Sequence, residues 1–129
     1  MELIMGKRLQ ILKQNFAVCK LKTSSSLLTP IDGVGLWSLS LTNNETSLVC
    51  PIDHVPKEAE VETGWRAFMV VGPLDFSLTG ILSNLSVPLA NAGIPIFVIS
   101  TFDTDYLLVK EAALKMAQDI LSKEWQIIE

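Results

Sequence analysis

The chain has 129 residues and a mass of 14.2 kDa, with 49% hydrophobic residues, 19% charged residues and a mean hydropathy of +0.39. That suits one compact domain of radius about 14 Å, or two very small subdomains sharing a core. It excludes a disordered chain, a collagen-like repeat and a cysteine framework. A net charge of −4 and a pI of about 4.9 leave no global field that favours nucleic acid.

Residues 1–8 contain no apolar stretch long enough for a signal peptide. Residues 1–22 hold five of the ten basic side chains (Lys7, Arg8, Lys13, Lys20, Lys22) and one acid, Glu2. A basic arm could bind an anionic partner, but these read first as solvated positions on an edge strand, where lysine blocks unwanted strand addition. Residues 9–12 and 16–21 are expected strands joined across Lys13-Gln14-Asn15. Residues 23–35, rich in Ser, Thr, Gly and Pro, read as a loop. Trp37, Leu39 and Leu41 alternate with Ser38, Ser40 and Thr42, which predicts a half-buried strand. Asn43-Asn44-Glu45 turns it back into a partner at residues 46–50. Residues 53–64 carry Asp53, Lys57, Glu58, Glu60 and Glu62 and read as a solvated connector between two halves. Cys19 and Cys50 are 31 positions apart without metal-ligand spacing. They read as buried thiols in a reducing cytoplasm.

The second half is more regular. An apolar strand at 67–71 ends at Gly72-Pro73. A helix is expected over 77–92, kinked at Pro88 and closed by Gly93 and Pro95. A strand over 94–101, a turn at 102–105 and a return strand at 106–109 follow. A second helix over 110–122 turns Ala113, Leu114, Ala117, Ile120 and Leu121 inward. A last strand covers 125–128. The order is βαββαβ, in which two helices cover one face of a four-stranded antiparallel sheet. Residues 76–102 carry no charge and are long enough to span a bilayer. They divide into a helical period and a β run around Gly93 and Pro95, which argues against a membrane span.

A weak internal echo runs through the chain. An offset of 60 lays residues 36–49 on 96–109, and an offset of 52 lays Phe16-Ala17-Val18 on Phe68-Met69-Val70. Either two hairpins simply look alike, or one fold occurs twice with helices shortened or lost in the first copy.

In a βαββαβ unit the turn from the first strand into the first helix, Gly72 to Ile81, meets the hairpin Ser100-Thr101-Phe102-Asp103-Thr104-Asp105. Free backbone N–H groups at a helix start attract a carboxylate. Gly80 allows close approach to the main chain. Asp105 or Asp103 suits an ammonium group, and Ser100 and Thr101 add hydroxyls. An anion site facing a cation site is what a free α-amino acid requires. The structural alternative is that Ser77 or Thr79 only caps the helix and Asp103 only forms the turn.

Three segments carry a family resemblance: Gly64-Trp65-Arg66-Ala67-Phe68, Pro88-Leu89-Ala90-Asn91-Ala92-Gly93-Ile94, and residues 99–109 with Ser100-Thr101-Phe102-Asp103-Thr104-Asp105 at their centre. They resemble the ACT domain, and more narrowly tandem ACT-like bacterial proteins related to the eukaryotic cytosolic arginine sensors of the target-of-rapamycin pathway. The resemblance spans residues 64–122 and extends more thinly over 7–52. It implies an α+β chain with a ferredoxin-like βαββαβ ACT domain at 64–129 behind a degenerate ACT-like, β-rich half at 1–63. It also implies regulation by a bound amino acid or similar metabolite rather than catalysis, without a cofactor or metal. The pocket residues it carries over are Thr79, Gly80, Ile81, Thr101, Phe102 and Asp105. The arginine sensors place an acid near the helix start. This sequence has Leu78 and Thr79 there, which leaves arginine and smaller, less cationic amino acids both open. Such pockets lie between ACT units, so the resemblance implies a homodimer, a downstream protein partner, and no role for nucleic acid or membrane.

Two rival readings stand beside this one. An interaction module without a ligand would bury exposed strand edges between chains. A thiol enzyme would use Cys50 with Asp53 and His54, but an extended chain separates Cys50 from His54 by roughly 13 Å. Gly33-Val34-Gly35 lacks the rest of a dinucleotide loop, and no zinc or calcium pattern is present.

Overall fold

The computed structural model describes residues 7–22, 33–72 and 80–129. The strands are β1 (Arg8–Ile11), β2 (Phe16–Leu21), β3 (Ser38–Leu41), β4 (Thr46–Pro51), β5 (Glu60–Val70), β6 (Phe97–Ser100), β7 (Asp105–Lys110) and β8 (Gln126–Ile128). The helices are α1 (Ile81–Asn91) and α2 (Leu114–Leu121), with 3-10 turns at Ile52–His54 and Glu111–Ala113. The chain divides into two compact units. One comprises Gln14–Trp65, the other Met1–Lys13 with Arg66–Glu129.

In the Gln14–Trp65 unit the strand order is β3–β4–β2–β5, every pair antiparallel. The two-residue period of β2 turns Ala17, Cys19 and Leu21 to one face. They pack there with Leu48 and Cys50 of β4, and with Trp37, Val55 and Ala59. Residues 60–64, expected as a solvated connector, are instead the start of β5. Their charge pattern hid a strand with exposed side chains. Lys20 of β2 stands opposite Glu60, and Val18 opposite Glu62, so the acids lie on the pleated surface while the backbone completes a ladder.

The second unit has the order β8–β1–β5–β7–β6. β1 is antiparallel to β5, with Leu9 opposite Val70 and Ile11 opposite Phe68, and parallel to β8. A plain βαββαβ unit would set β8 directly beside β5. Here β1 is inserted between them, so residues 7–13 belong to the same compact unit as the C-terminal elements. The cause is the pattern Leu9/Ile11, whose side chains join the cluster of Phe68, Val70, Leu107 and Val109. β1 and β2 are therefore interior strands. The basic residues of 7–22 do not guard an edge; Lys20 projects from an interior strand and Lys22 pairs with Glu58 at 3.7 Å.

Both helices of this unit close over the same cluster, α1 through Leu85 and Leu89 and α2 through Ala117 and Leu121. Leu82 and Ala92, which share the helical period of Leu85 and Leu89, are exposed. α1 starts at Gly80 in the left-handed region (φ +80°) and contains Pro88. It closes as expected at Gly93 (φ +74°), where the N–H groups of Ala92 and Ile94 both donate to the Leu89 carbonyl. The uncharged run 76–102 thus holds an 11-residue helix and a separate strand, and among the described residues no helix is long and apolar enough to cross a membrane.

The internal echo has a geometric counterpart. The hairpin β3–β4 and the hairpin β6–β7 agree in strand lengths, turn length and register at a constant offset of 59 (Ser38 to Phe97, Leu41 to Ser100, Thr46 to Asp105). The 3-10 turns that follow them agree at the same offset.

Candidate functional site

The candidate site is built on the β6–β7 hairpin. Ser100 and Asp105 are paired across the last rung of the ladder, and Ser100 Oγ donates to Asp105 Oδ1 at 2.6 Å. A short O–H···O⁻ bond of this kind is charge-assisted and fixes the carboxylate's rotamer. Asp105 itself is half-buried. The turn is closed by Thr101. Its N–H donates to the Thr104 carbonyl at 2.8 Å, its Oγ1 donates to the same oxygen at 3.1 Å, and that Oγ1 accepts the Thr104 N–H at 3.3 Å. Hydroxyl-to-backbone bonding of this type is why Thr and Asp favour such turns.

Thr104 is the residue that the sequence reading missed. It is the buried polar side chain of the described residues, 8% exposed, and its Oγ1 donates to the carbonyl of Val70. Val70 ends β5, and residues 71–80 lead from there to α1. The hairpin is therefore tied to the strand end that feeds the helix. Its only sequence signal was a second Thr in a six-residue polar turn, and nothing in that spacing distinguishes an inward hydroxyl from an outward one.

The other expected residues fall as follows. Thr79 lies outside the described residues, as do Ser77 and Leu78. Gly80 is exposed at the helix start, and its carbonyl accepts the Asn84 N–H at 2.9 Å and the Ser83 hydroxyl at 3.1 Å. Gly80, at the N-cap position of α1, supplies no side-chain cap, and the first N–H groups of a helix have no intrahelical acceptor. Ile81 is half-buried and packs on the core cluster. Phe102 exposes 80% of its surface at the hairpin tip. An open groove of about 310 Å³ lies between α1 and α2, lined by Asn84, Pro88, Ile120 and Trp125 among others, and the candidate residues do not line it.

The thiol reading fails on this structure. Cys50 is fully buried in one cluster with Cys19, and His54 is exposed. Burial, with the Cys19 thiol beside it, pushes Cys50 up to about 12, and burial raises Cys19 as well. A nucleophile needs the thiolate, which this setting disfavours. Among the described residues no group of three His, Cys, Asp or Glu side chains is placed to hold a metal ion.

A family model described as the ACT domain matches residues 60–123, and a second, described as an N-terminal domain, matches residues 14–58. The crystal structure of the Agrobacterium tumefaciens protein Atu0741 is 36% identical, with a TM-score of 0.85 over 95% of this chain and 92% of that one. The regulatory subunit of aspartate kinase from Thermus thermophilus, ligand-free, shares the fold at 8% identity, with a TM-score of 0.63 over 92% of this chain and 96% of that one. Aspartate kinase from Clostridium acetobutylicum, described as an allosteric enzyme, does so at 15% identity and a TM-score of 0.64, over 92% of this chain and 34% of its own. The chain belongs to the ACT domain family.

Proposed function

We propose that this protein is a non-catalytic tandem ACT regulator that binds a free amino acid or similar small metabolite and passes its occupancy to a protein partner. In this reading residues 1–63 are the degenerate copy and residues 64–129 the ligand-binding one. The observation that carries the reading is the Asp105 carboxylate, held by Ser100 on a hairpin that Thr104 anchors to the end of β5. That carboxylate accepts the ammonium group. Main-chain amides at Thr79, Gly80 and Ile81 hold the carboxylate of the ligand, helped by the positive end of α1. Thr101 gives polar contacts, and the Phe102 ring covers the ligand's apolar part. A homodimer supplies the second wall of the pocket, in keeping with the family pattern of ligands held between ACT units. The likeness to a regulatory subunit of aspartate kinase supports regulation over catalysis.

The test is a thermal-shift screen of the full chain against the twenty proteinogenic amino acids, followed by calorimetry on any that stabilise it. Stabilisation by at least one, lost in Asp105→Ala, is expected. Failure of all twenty, or binding unchanged in Asp105→Ala, rejects the site.

One observation favours the rival reading of an interaction module. Among the described residues β3 pairs only with β4; it carries no charge and leaves Leu39 38% and Leu41 62% exposed. An uncharged edge strand is a template for a second chain. Sedimentation distinguishes the readings: a module predicts an oligomer whose size is indifferent to amino acids.

A further inference from the structure

The two hairpins are the same device in backbone terms. Thr42 closes the first turn as Thr101 closes the second. The Thr42 N–H donates to the Glu45 carbonyl at 3.0 Å, its Oγ1 donates to that oxygen at 3.3 Å, and the Glu45 N–H returns to Oγ1 at 3.0 Å. Each bond has its counterpart 59 residues later between Thr101 and Thr104. The pairs Leu41–Thr46 and Ser100–Asp105 close the two ladders at the same rung.

The chemistry at those shared positions has diverged. Where Ser100 donates to a carboxylate, Leu41 presents an exposed isobutyl group. Where Asp105 carries the negative charge, Thr46 has a neutral hydroxyl. Phe102 becomes Asn43. The buried tether Thr104 becomes Glu45, which is exposed and points its charge into solvent rather than into a bond with a strand end. The motif that closes the turn is retained, while every group that would receive an ammonium ion is replaced. A site without the ion pair and its charge-assisted bond is weaker by about ten- to a hundredfold.

We infer that the two units are copies of one element, and that only the copy holding Asp105 keeps an ammonium-accepting site, so that each chain takes one amino acid. The first copy serves as the frame. This inference rests on the amino-acid reading above and narrows it to one hairpin of two.

The experiment uses the ¹⁵N-labelled full chain titrated with an equimolar mixture of the twenty proteinogenic L-amino acids, followed by amide resonances. Saturable shifts are expected at Gly80, Ile81 and residues 101–105, with none of comparable size at 42–46. They should vanish in Asp105→Asn, saturate at about tenfold higher concentration in Ser100→Ala, and persist in Thr46→Val. The dispersion of the remaining resonances reports whether each variant is folded. Saturable shifts at 42–46 that survive Asp105→Asn would overturn the asymmetry while leaving the amino-acid reading intact. No saturable shift at either hairpin would reject the amino-acid reading and the inference together.

Discussion

Replacing Thr104 by valine tests whether the hairpin is held by a hydrogen bond or by packing. Valine matches threonine in shape but cannot donate, so the Val70 carbonyl loses the hydroxyl that now faces it. The site is 8% exposed, so solvent does not readily replace the bond. The lost bond and the unsatisfied acceptor together destabilise by about 1–3 kcal/mol. Thr104→Ser is the opposite perturbation: it keeps the hydroxyl and deletes one buried methyl, at about 1 kcal/mol. A purely hydrophobic account ranks valine above serine, and the hydrogen-bond account ranks serine above valine. Urea unfolding of the full chain separates them, with fluorescence of the buried Trp65 and Trp125 as the signal. If Thr104→Val is as stable as the parent chain, or more stable than Thr104→Ser, the tether is not what secures the turn. The same pair should then be carried into binding, because Asp105 is the next residue and moves with Thr104.

Further outcomes follow from the same geometry. Ser100→Ala leaves Asp105 without its 2.6 Å donor, and calorimetry should show amino-acid affinity reduced about tenfold with unfolding nearly unchanged. At Gly80→Ala the nearest atom to the new Cβ among the described residues is Ser83 Oγ at 3.8 Å, an ordinary contact, and the φ of +80° opposes the substitution. Urea unfolding should register about 1–2 kcal/mol, and no loss at all would mean that the helix start readily relaxes. Cys50 titrates from 9.0 up to about 12 on folding, so the folded state holds its proton where the unfolded chain has lost it. The stability this contributes is complete below pH 9 and falls as pH rises from about 9 towards 12. In a Cys50→Ala background, where the contribution is removed, that alkaline decline should be shallower. Iodoacetamide at pH 8 should label neither thiol of the folded chain, and rapid labelling without urea would contradict the buried pair.

The sequence exposed the strands whose faces differ. β2, β3, β4 and β7 were placed within a residue or two because apolar and polar side chains alternate along them or because turn residues bracket them. It hid the first half of β5 for a physical reason. Glu60 and Glu62 look like loop, yet a strand needs only backbone groups and a partner, and β2 supplies the partner. It also hid where β1 goes. Leu9 and Ile11 advertise a strand, but nothing local says that its neighbours are Val70 and Ile127 rather than β2. Long-range pairing of that kind is decided by which core has room for two more apolar side chains, a property of the assembled unit.

The repeat shows the same limit more sharply. Matching by residue identity laid Ser40 on Ser100, an offset of 60, because two serines attract an alignment. The ladders lay Leu41 on Ser100, an offset of 59. In a strand, a shift of one residue exchanges the two faces. At an offset of 60 the acid Asp105 would fall on Glu45, and both hairpins would look competent to receive an ammonium ion. At 59 it falls on Thr46, and only one does. Under the proposal above, the difference between two ammonium-accepting hairpins and one thus turns on a single residue of register, which hydrogen bonds determine and side-chain identity does not.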